Sequence, residues 1–201
     1  MKNIILLGGA PAIGKTTVAQ KLVRQLKIPC ISTDEIRANM RMSENKNDAP
    51  ALFFFDKHAV GDPAKFLDAI SPDVLLDAVD EESREVWRGV LRVIDDSTGG
   101  GPLMIEGVAV LPEEAAALER HNDNVKAIIL TNNNPELIRR TIYGRGLGGD
   151  PDLFSEKLKH KQIKWVEASN QRYLQEALGH GLEIFDVNDP DHIEKIIKSI
   201  S

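Results

Sequence analysis

The sequence predicts an α/β protein in which about five short parallel strands form one sheet covered by helices on both faces, a three-layer α/β/α arrangement. Three observations carry that expectation. Short apolar runs recur along the chain and are followed by helix signals, a glycine-rich segment joins the first run to the first helix, and only the stretch 43–101 breaks the rhythm.

Ile4 to Leu7 is a continuous apolar run ended by Gly8 and Gly9, the pattern of a parallel strand buried on both faces. Thr17 to Leu26 then carries Val18, Ala19, Leu22, Val23 and Leu26 at helical spacing. Ile28 to Ile31 reads as a second strand and Ser32 to Met42 as a second helix. Leu103 to Ile105, Val125 to Leu130 and Leu182 to Val187 are further strands, with helix starts at Pro112-Glu113-Glu114 and Pro135-Glu136. Parallel neighbours require crossovers, which are right-handed.

The segment 43–101 holds no convincing strand and is too long for an ordinary connection, so it reads as a helical insertion. Its best helix begins at Ser71-Pro72, carries Leu75, Val79, Val86, Val90 and Ile94 as a stripe, and stops at Gly99 to Gly101. Asp77, Asp80, Glu81, Glu82 and Glu85 read as its solvated face. Pro151 to Leu178 is a long helical segment whose Lys157, Lys159, Lys161 and Lys164 form a solvated surface or, alternatively, a phosphate-facing patch.

The chain of 201 residues fits a single domain, 1–201. A net charge of -6 argues against a general nucleic-acid binder, which needs a large positive surface to release phosphate counterions. No apolar run approaches the roughly 18 residues of a membrane span, so no membrane partner is expected. Cys30, the single cysteine, cannot form an internal disulfide and reads as a small buried residue in a cytoplasmic, reducing setting. Nothing in the sequence fixes the oligomeric state.

The chemistry concentrates in Gly9-Ala10-Pro11-Ala12-Ile13-Gly14-Lys15-Thr16, which matches G-x-x-x-x-G-K-[ST] at every specified position and is followed by Thr17. The glycines let the backbone curl so that N–H groups face phosphate oxygens at a helix N-terminus. Lys15 brings charge to the β- and γ-phosphates and Thr16 a hydroxyl for Mg²⁺, so ATP or GTP with Mg²⁺ is the expected ligand.

At the carboxyl end of the second strand, Ser32 and Glu35 fit a capping box, which leaves Asp34 free. Asp34, Arg37 and Arg41 share one helical face by their spacing. The carboxylate can take the proton of an attacking hydroxyl or help hold Mg²⁺, and the arginines can grip an anionic acceptor; the alternative is a local surface pair of Asp34 with Arg37. Glu106 ends the apolar strand Leu103 to Ile105 and would stand near Mg²⁺ if that strand lies beside the first, or else be an ordinary turn carboxylate. Arg139, Arg140 and Arg145 precede Gly146, Gly148 and Gly149, which suits a lid over residues 144–152; Arg140 and Arg145 are its candidates for stabilising the transferring phosphate.

Together these residues resemble the small P-loop kinases of the adenylate-kinase-like group, over most of the chain. Within that group the sequence is similar to 2-phosphoglycerate kinase-like proteins in Gly-Gly-Ala-Pro-Ala-Ile-Gly-Lys-Thr-Thr at 8–17, Ile-Ser-Thr-Asp-Glu-Ile-Arg at 31–37 and Ile-Glu-Gly-Val at 105–108. The resemblance implies a P-loop NTPase sheet in the order 2-3-1-4-5, a helical substrate-binding insertion, an arginine lid, and adenine held near Asn188-Asp189-Pro190. It implies transfer of the γ-phosphoryl group of ATP to a small, anionic, 2-phosphoglycerate-like acceptor. A nucleoside monophosphate kinase, or a P-loop switch or ATPase without an acceptor, remain the other readings.

Overall fold

The computed structural model describes residues 3–58, 62–97 and 99–200. In chain order they form β1 (Ile4–Gly8), α1 (Lys15–Leu26), β2 (Cys30–Ser32) and α2 (Thr33–Ser43), then a 3₁₀ turn at Pro50–Phe53, α3 (Phe54–His58), α4 (Pro63–Ala69) and α5 (Pro72–Asp96). There follow β3 (Leu103–Gly107), α6 (Pro112–His121), β4 (Val125–Thr131), α7 (Pro135–Arg145), a 3₁₀ turn at Pro151–Leu153, α8 (Glu156–His180), β5 (Glu183–Asp186) and α9 (His192–Ile200).

The five strands are all parallel and run in the order β2-β3-β1-β4-β5, as the resemblance implied. The most apolar run takes the centre: every residue of β1 is buried, because helices cover both faces. The edges fall to the short strands β2 and β5, whose unpaired sides offer little to another chain. Register places Leu7 beside Glu106 and Gly8 beside Gly107, so the carboxyl ends of β1 and β3 finish together. In a parallel sheet that end opens the ligand crevice.

Several elements begin where local chemistry dictates rather than where periodicity suggests. The strand expected from Ile28 starts at Cys30, because Pro29 has no N–H for the ladder, although its carbonyl accepts from Met104 N at 3.0 Å. Helix α1 starts at Lys15 because Gly14 adopts φ 105°, a conformation that costs glycine little. The Ser32–Glu35 capping box is present, with Glu35 N donating to Ser32 Oγ at 3.1 Å and Ser32 N to the Glu35 carboxylate at 2.8 Å.

Two expectations about exposure fail. Cys30 is exposed over the residue as a whole, because β2 is an edge strand, while its sulfur is sheltered enough for burial to push the thiol up to about 11. Asp80 and Glu82, read as part of a solvated face, are buried. Asp80 meets Arg172 on α8 at 2.7 Å and Glu82 meets Arg37 on α2 at 3.1 Å, so α5 is packed from two sides rather than one.

Among the described residues the regular elements of the segment 43–101 are all helical, joined by turns. Helix α5 packs on α2 through Gly89, where a Cβ would lie 2.5 Å from Met40 Sδ and 2.6 Å from Ile36 Cγ2. Helix α4 is held to α8 by Lys161, whose Nζ donates to the carbonyls of Leu67 and Asp68 at 2.8 and 2.7 Å, and by Lys157, which pairs with Asp68 at 3.2 Å. These lysines therefore serve internal mooring. Among the described residues no helix is long and apolar enough to cross a membrane.

Candidate active site

The segment between β1 and α1 turns sharply, with positive φ at Gly9, Ala12 and Gly14. Non-glycine Ala12 in that region costs about 1 kcal/mol, strain that the loop's shape imposes. The N–H groups of Ala12 and Gly14 find no acceptor among the described residues. Lys15 is only 7% exposed, and its Nζ donates to Ala10 O at 2.7 Å, which leaves two of its three donors without a protein partner. Burial, opposed by the nearby carboxylates of Glu106 and Asp34 and reinforced by Arg145, holds its ammonium down at about 8. A buried ammonium beside free amides fits a phosphate tail, which would satisfy those donors.

Thr16 donates its hydroxyl proton to Glu106 Oε1 at 3.1 Å. Burial pushes the Glu106 carboxyl upward, against the pull of Lys15 and Thr16. Among the described residues no cluster of three or more His, Cys, Asp or Glu could hold a metal by itself. One hydroxyl and one carboxylate are nevertheless hard oxygen donors of the kind Mg²⁺ takes when phosphates and water complete its octahedron, so Thr16 and Glu106 fit that ion.

Beyond this end the crevice opens into a cavity of about 760 Å³. Pro11, Ala12, Gly14, Lys15, Thr16 and Thr17 line one part, and Asp34, Arg37 and Arg41 of α2 line another. Gly9, Ala10 and Ile13 are buried behind the loop surface. Asp34 has a side chain 73% exposed and pairs with Arg37 at 3.3 Å; Arg37 also reaches Glu82. Arg41 pairs with Asp56 of α3 and stacks 5.4 Å from the ring centre of Phe53. The Arg41 hydrogen bond and charge hold the Asp56 carboxyl below its usual range.

The lid candidates separate. Arg145 lines the cavity one helical turn from Thr141, and its charge reaches Lys15. Arg140 is exposed and does not line the cavity, and Arg139 stacks on Tyr143 at 4.7 Å. The glycine segment after Arg145 is pinned to α8 by paired bonds between the backbone of Leu147 and the Gln162 amide, at 3.3 and 3.0 Å.

Asn188 also stands outside the cavity wall, but it belongs to a buried amide network. Its Nδ2 donates to Asn132 Oδ1 at 2.9 Å, and Asn132 Nδ2 donates to the loop carbonyl of Ile13 at 3.3 Å. The Asn170 side chain of α8 brackets the Asn132 backbone, with bonds of 3.1 Å to its N–H and its carbonyl. Asn132 Oδ1 further accepts from the N–H of Asn134, the residue that caps α7. One amide at the end of β4 thus joins the β1–α1 loop, α7, α8 and the turn after β5.

Sequence reading missed Asn132, Glu82 and Trp165. Asn132 sits in the run Asn132-Asn133-Asn134, which looks like an ordinary turn. Glu82 had a legible signal: the apolar stripe 75, 79, 86, 90, 94 skips one position between 79 and 86, and 82 fills it. A glutamate on the buried stripe of a helix calls for a partner, and Arg37 supplies one.

Comparison with known proteins agrees with this geometry. A family model described as an AAA domain matches residues 4–96. A 2-phosphoglycerate kinase of Methanocaldococcus jannaschii is 32% identical over 145 residues, covering 71% of this chain and 46% of that protein. Another, from Methanococcus maripaludis, is 24% identical over 203 residues, covering 98% of this chain and 64% of that protein. The chain therefore spans less than two thirds of the length of either relative. Among solved structures, a shikimate kinase from Bacteroides thetaiotaomicron superposes with a TM-score of 0.52 at 16% identity, over 100% of this chain and 97% of that one, a likeness of fold. By its phosphate loop, sheet order and relatives, the chain is similar to the small P-loop kinases and, in sequence, to 2-phosphoglycerate kinases.

Proposed function

We propose that the chain is an ATP-dependent phosphotransferase that moves the γ-phosphoryl group to a hydroxyl of a small acceptor carrying an anionic group. The observation that supports this reading best is a single cavity with a buried, under-partnered ammonium at one end and a carboxylate flanked by arginines at the other. Lys15 and the loop amides hold the β- and γ-phosphates, and Asn188 stands near the base. Thr16 and Glu106 are the protein ligands for Mg²⁺, which when bound neutralises phosphate charge.

Asp34 orients the acceptor hydroxyl and accepts its proton. The acceptor oxygen bonds to the γ-phosphorus while the bond from that phosphorus to the β,γ-bridging oxygen breaks, and ADP leaves. Arg145 offsets charge on the phosphoryl oxygens, with Arg140 able to join it only by a movement of α7. Arg37 and Arg41 hold the acceptor's anion, exchanging a present carboxylate for it. Because relatives are named 2-phosphoglycerate kinases, that compound heads the acceptors to assay.

Replacing Asp34 with Asn tests the assignment. Turnover with the best acceptor should fall by about 10²–10⁴-fold while the Kd for ATP stays unchanged. Normal turnover would instead favour a nucleoside monophosphate kinase, whose acceptor phosphate needs no base. Hydrolysis of ATP indifferent to every acceptor would favour a switch or ATPase.

A further inference from the structure

We infer that Asp56 is a resident stand-in for the phosphate of a phosphorylated acceptor: its carboxylate fills a subsite formed by Arg41 and Lys46, the incoming phosphate evicts it, and that exchange sets how tightly the acceptor binds. This rests on the kinase reading and adds to it Lys46 and a built-in competitor. Three observations support it.

The first is charge. Arg41 lies on α2 and Lys46 just beyond its end, yet the buried ring of Phe53 gathers both, with Arg41 Cζ and Lys46 Nζ each 5.4 Å from its centre. Arg37 is taken up by Asp34 and Glu82, which leaves Asp56 as the acid paired with Arg41. The Arg41 hydrogen bond first, and then the charges of Arg41, Lys46 and Arg37, hold the Asp56 carboxyl down against the effect of burial. One negative charge thus faces two cations. A phosphate monoester carries about −1.5 to −2 charges at pH 7 and would answer both.

The second is access. Arg41 and Asp56 both line the cavity, and their side chains keep 27% and 44% of their surface open to a ligand. Helix α3 has five residues and buries none of them, so Asp56 can turn away without opening a core. An ion pair this exposed holds weakly, whereas a phosphate taken by two cations gains charge-assisted bonds to both.

The third is spacing. Asp34 and Arg41 stand seven residues apart on one face of α2, so their backbones are about 10 Å apart along the axis. A three-carbon acid spans that interval, with its hydroxyl bonded to Asp34 and its phosphate to Arg41. Arg37 lies between them on the same face, and it meets the acid's carboxylate once Asp34 turns from Arg37 to the hydroxyl.

The test uses the whole chain with Mg²⁺ and a non-hydrolysable ATP analogue, which keeps the phosphate loop filled. Calorimetry then follows 2-phosphoglycerate, inorganic phosphate and, as the probe without phosphate, glycerate. Asp56→Asn should bind 2-phosphoglycerate and inorganic phosphate at least about threefold more tightly than the unaltered chain, with the Kd of the analogue unchanged. Asp56→Glu keeps the resident charge and should show no such gain. Lys46→Met should weaken both phosphate probes more than glycerate. Unchanged or weaker binding in Asp56→Asn, which is what a carboxylate that only braces α3 would give, overturns the inference. So does a loss in Lys46→Met that glycerate shares equally, or the failure of both phosphate probes to bind. The kinase reading fails separately, if the ATP analogue itself does not bind or no acceptor in a wider panel consumes ATP.

Discussion

The ammonium of Lys15 is held near 8 when an unfolded lysine titrates at 10.5, so keeping it charged at pH 7 costs the ligand-free fold about 3 kcal/mol. Between those values the unfolded chain binds more protons than the folded one, so ligand-free stability rises with pH through that window. Lys15→Met removes the buried charge and forfeits one bond to Ala10 O. It should raise the stability of the ligand-free protein at pH 7 by about 2 kcal/mol, or about 4–8 °C in Tm, while abolishing tight ATP binding. The gain should shrink as pH climbs from 8 towards 10.5; thermal unfolding across that range reads it directly. This residue was legible in the sequence because its chemistry demands a particular loop. Glu82 was harder, since a glutamate among Asp80, Glu81 and Glu85 reads as solvated unless its phase on the helix is traced. Asn132 gave no sign, because a buried amide and a turn amide are spelled alike.

Helices line the α2 end of the cavity, and their spacing is adjustable at one glycine. Gly89→Ala would ordinarily stabilise a helix by about 1 kcal/mol, but here its methyl meets the branched Ile36, which cannot swing aside as Met40 can. Overpacking of about 1–3 kcal/mol wins, so the variant should be less stable by about 1 kcal/mol. Because α2 carries Asp34, Arg37 and Arg41, the acceptor KM should rise while the ATP KM holds. Asn132→Ala should behave in the opposite manner. It strips partners from Ile13 O, Asn134 N and Asn188 at once, so about 2–4 kcal/mol of stability is lost and the ATP KM rises more than kcat falls. Denaturant melts paired with initial-rate kinetics separate the two cases. The strands themselves were readable from apolar runs, and only Pro29 shortened one. The order of the strands was not written in any local run; it came from resemblance, because which strand neighbours which depends on crossovers that periodicity does not encode.

For the molecule as a whole, the free amides and the buried ammonium predict a ligand-free state well short of its attainable stability. At a hundred times its Kd, MgATP should add about 2.7 kcal/mol, seen as a rise of about 5–11 °C in Tm. No rise with any purine triphosphate would overturn the nucleotide assignment. The cavity-lining side chains of α2 to α5 come from the continuous stretch between residues 33 and 82, whereas those assigned to the phosphate tail come from 11–17, 106 and 145. The two duties thus have separate addresses along the chain. On the proposed function, a recombination event that replaced the first stretch would retune which acceptor is taken and leave the phosphate-binding machinery as it was, so a fold of this kind can diversify its chemistry by exchanging one cassette.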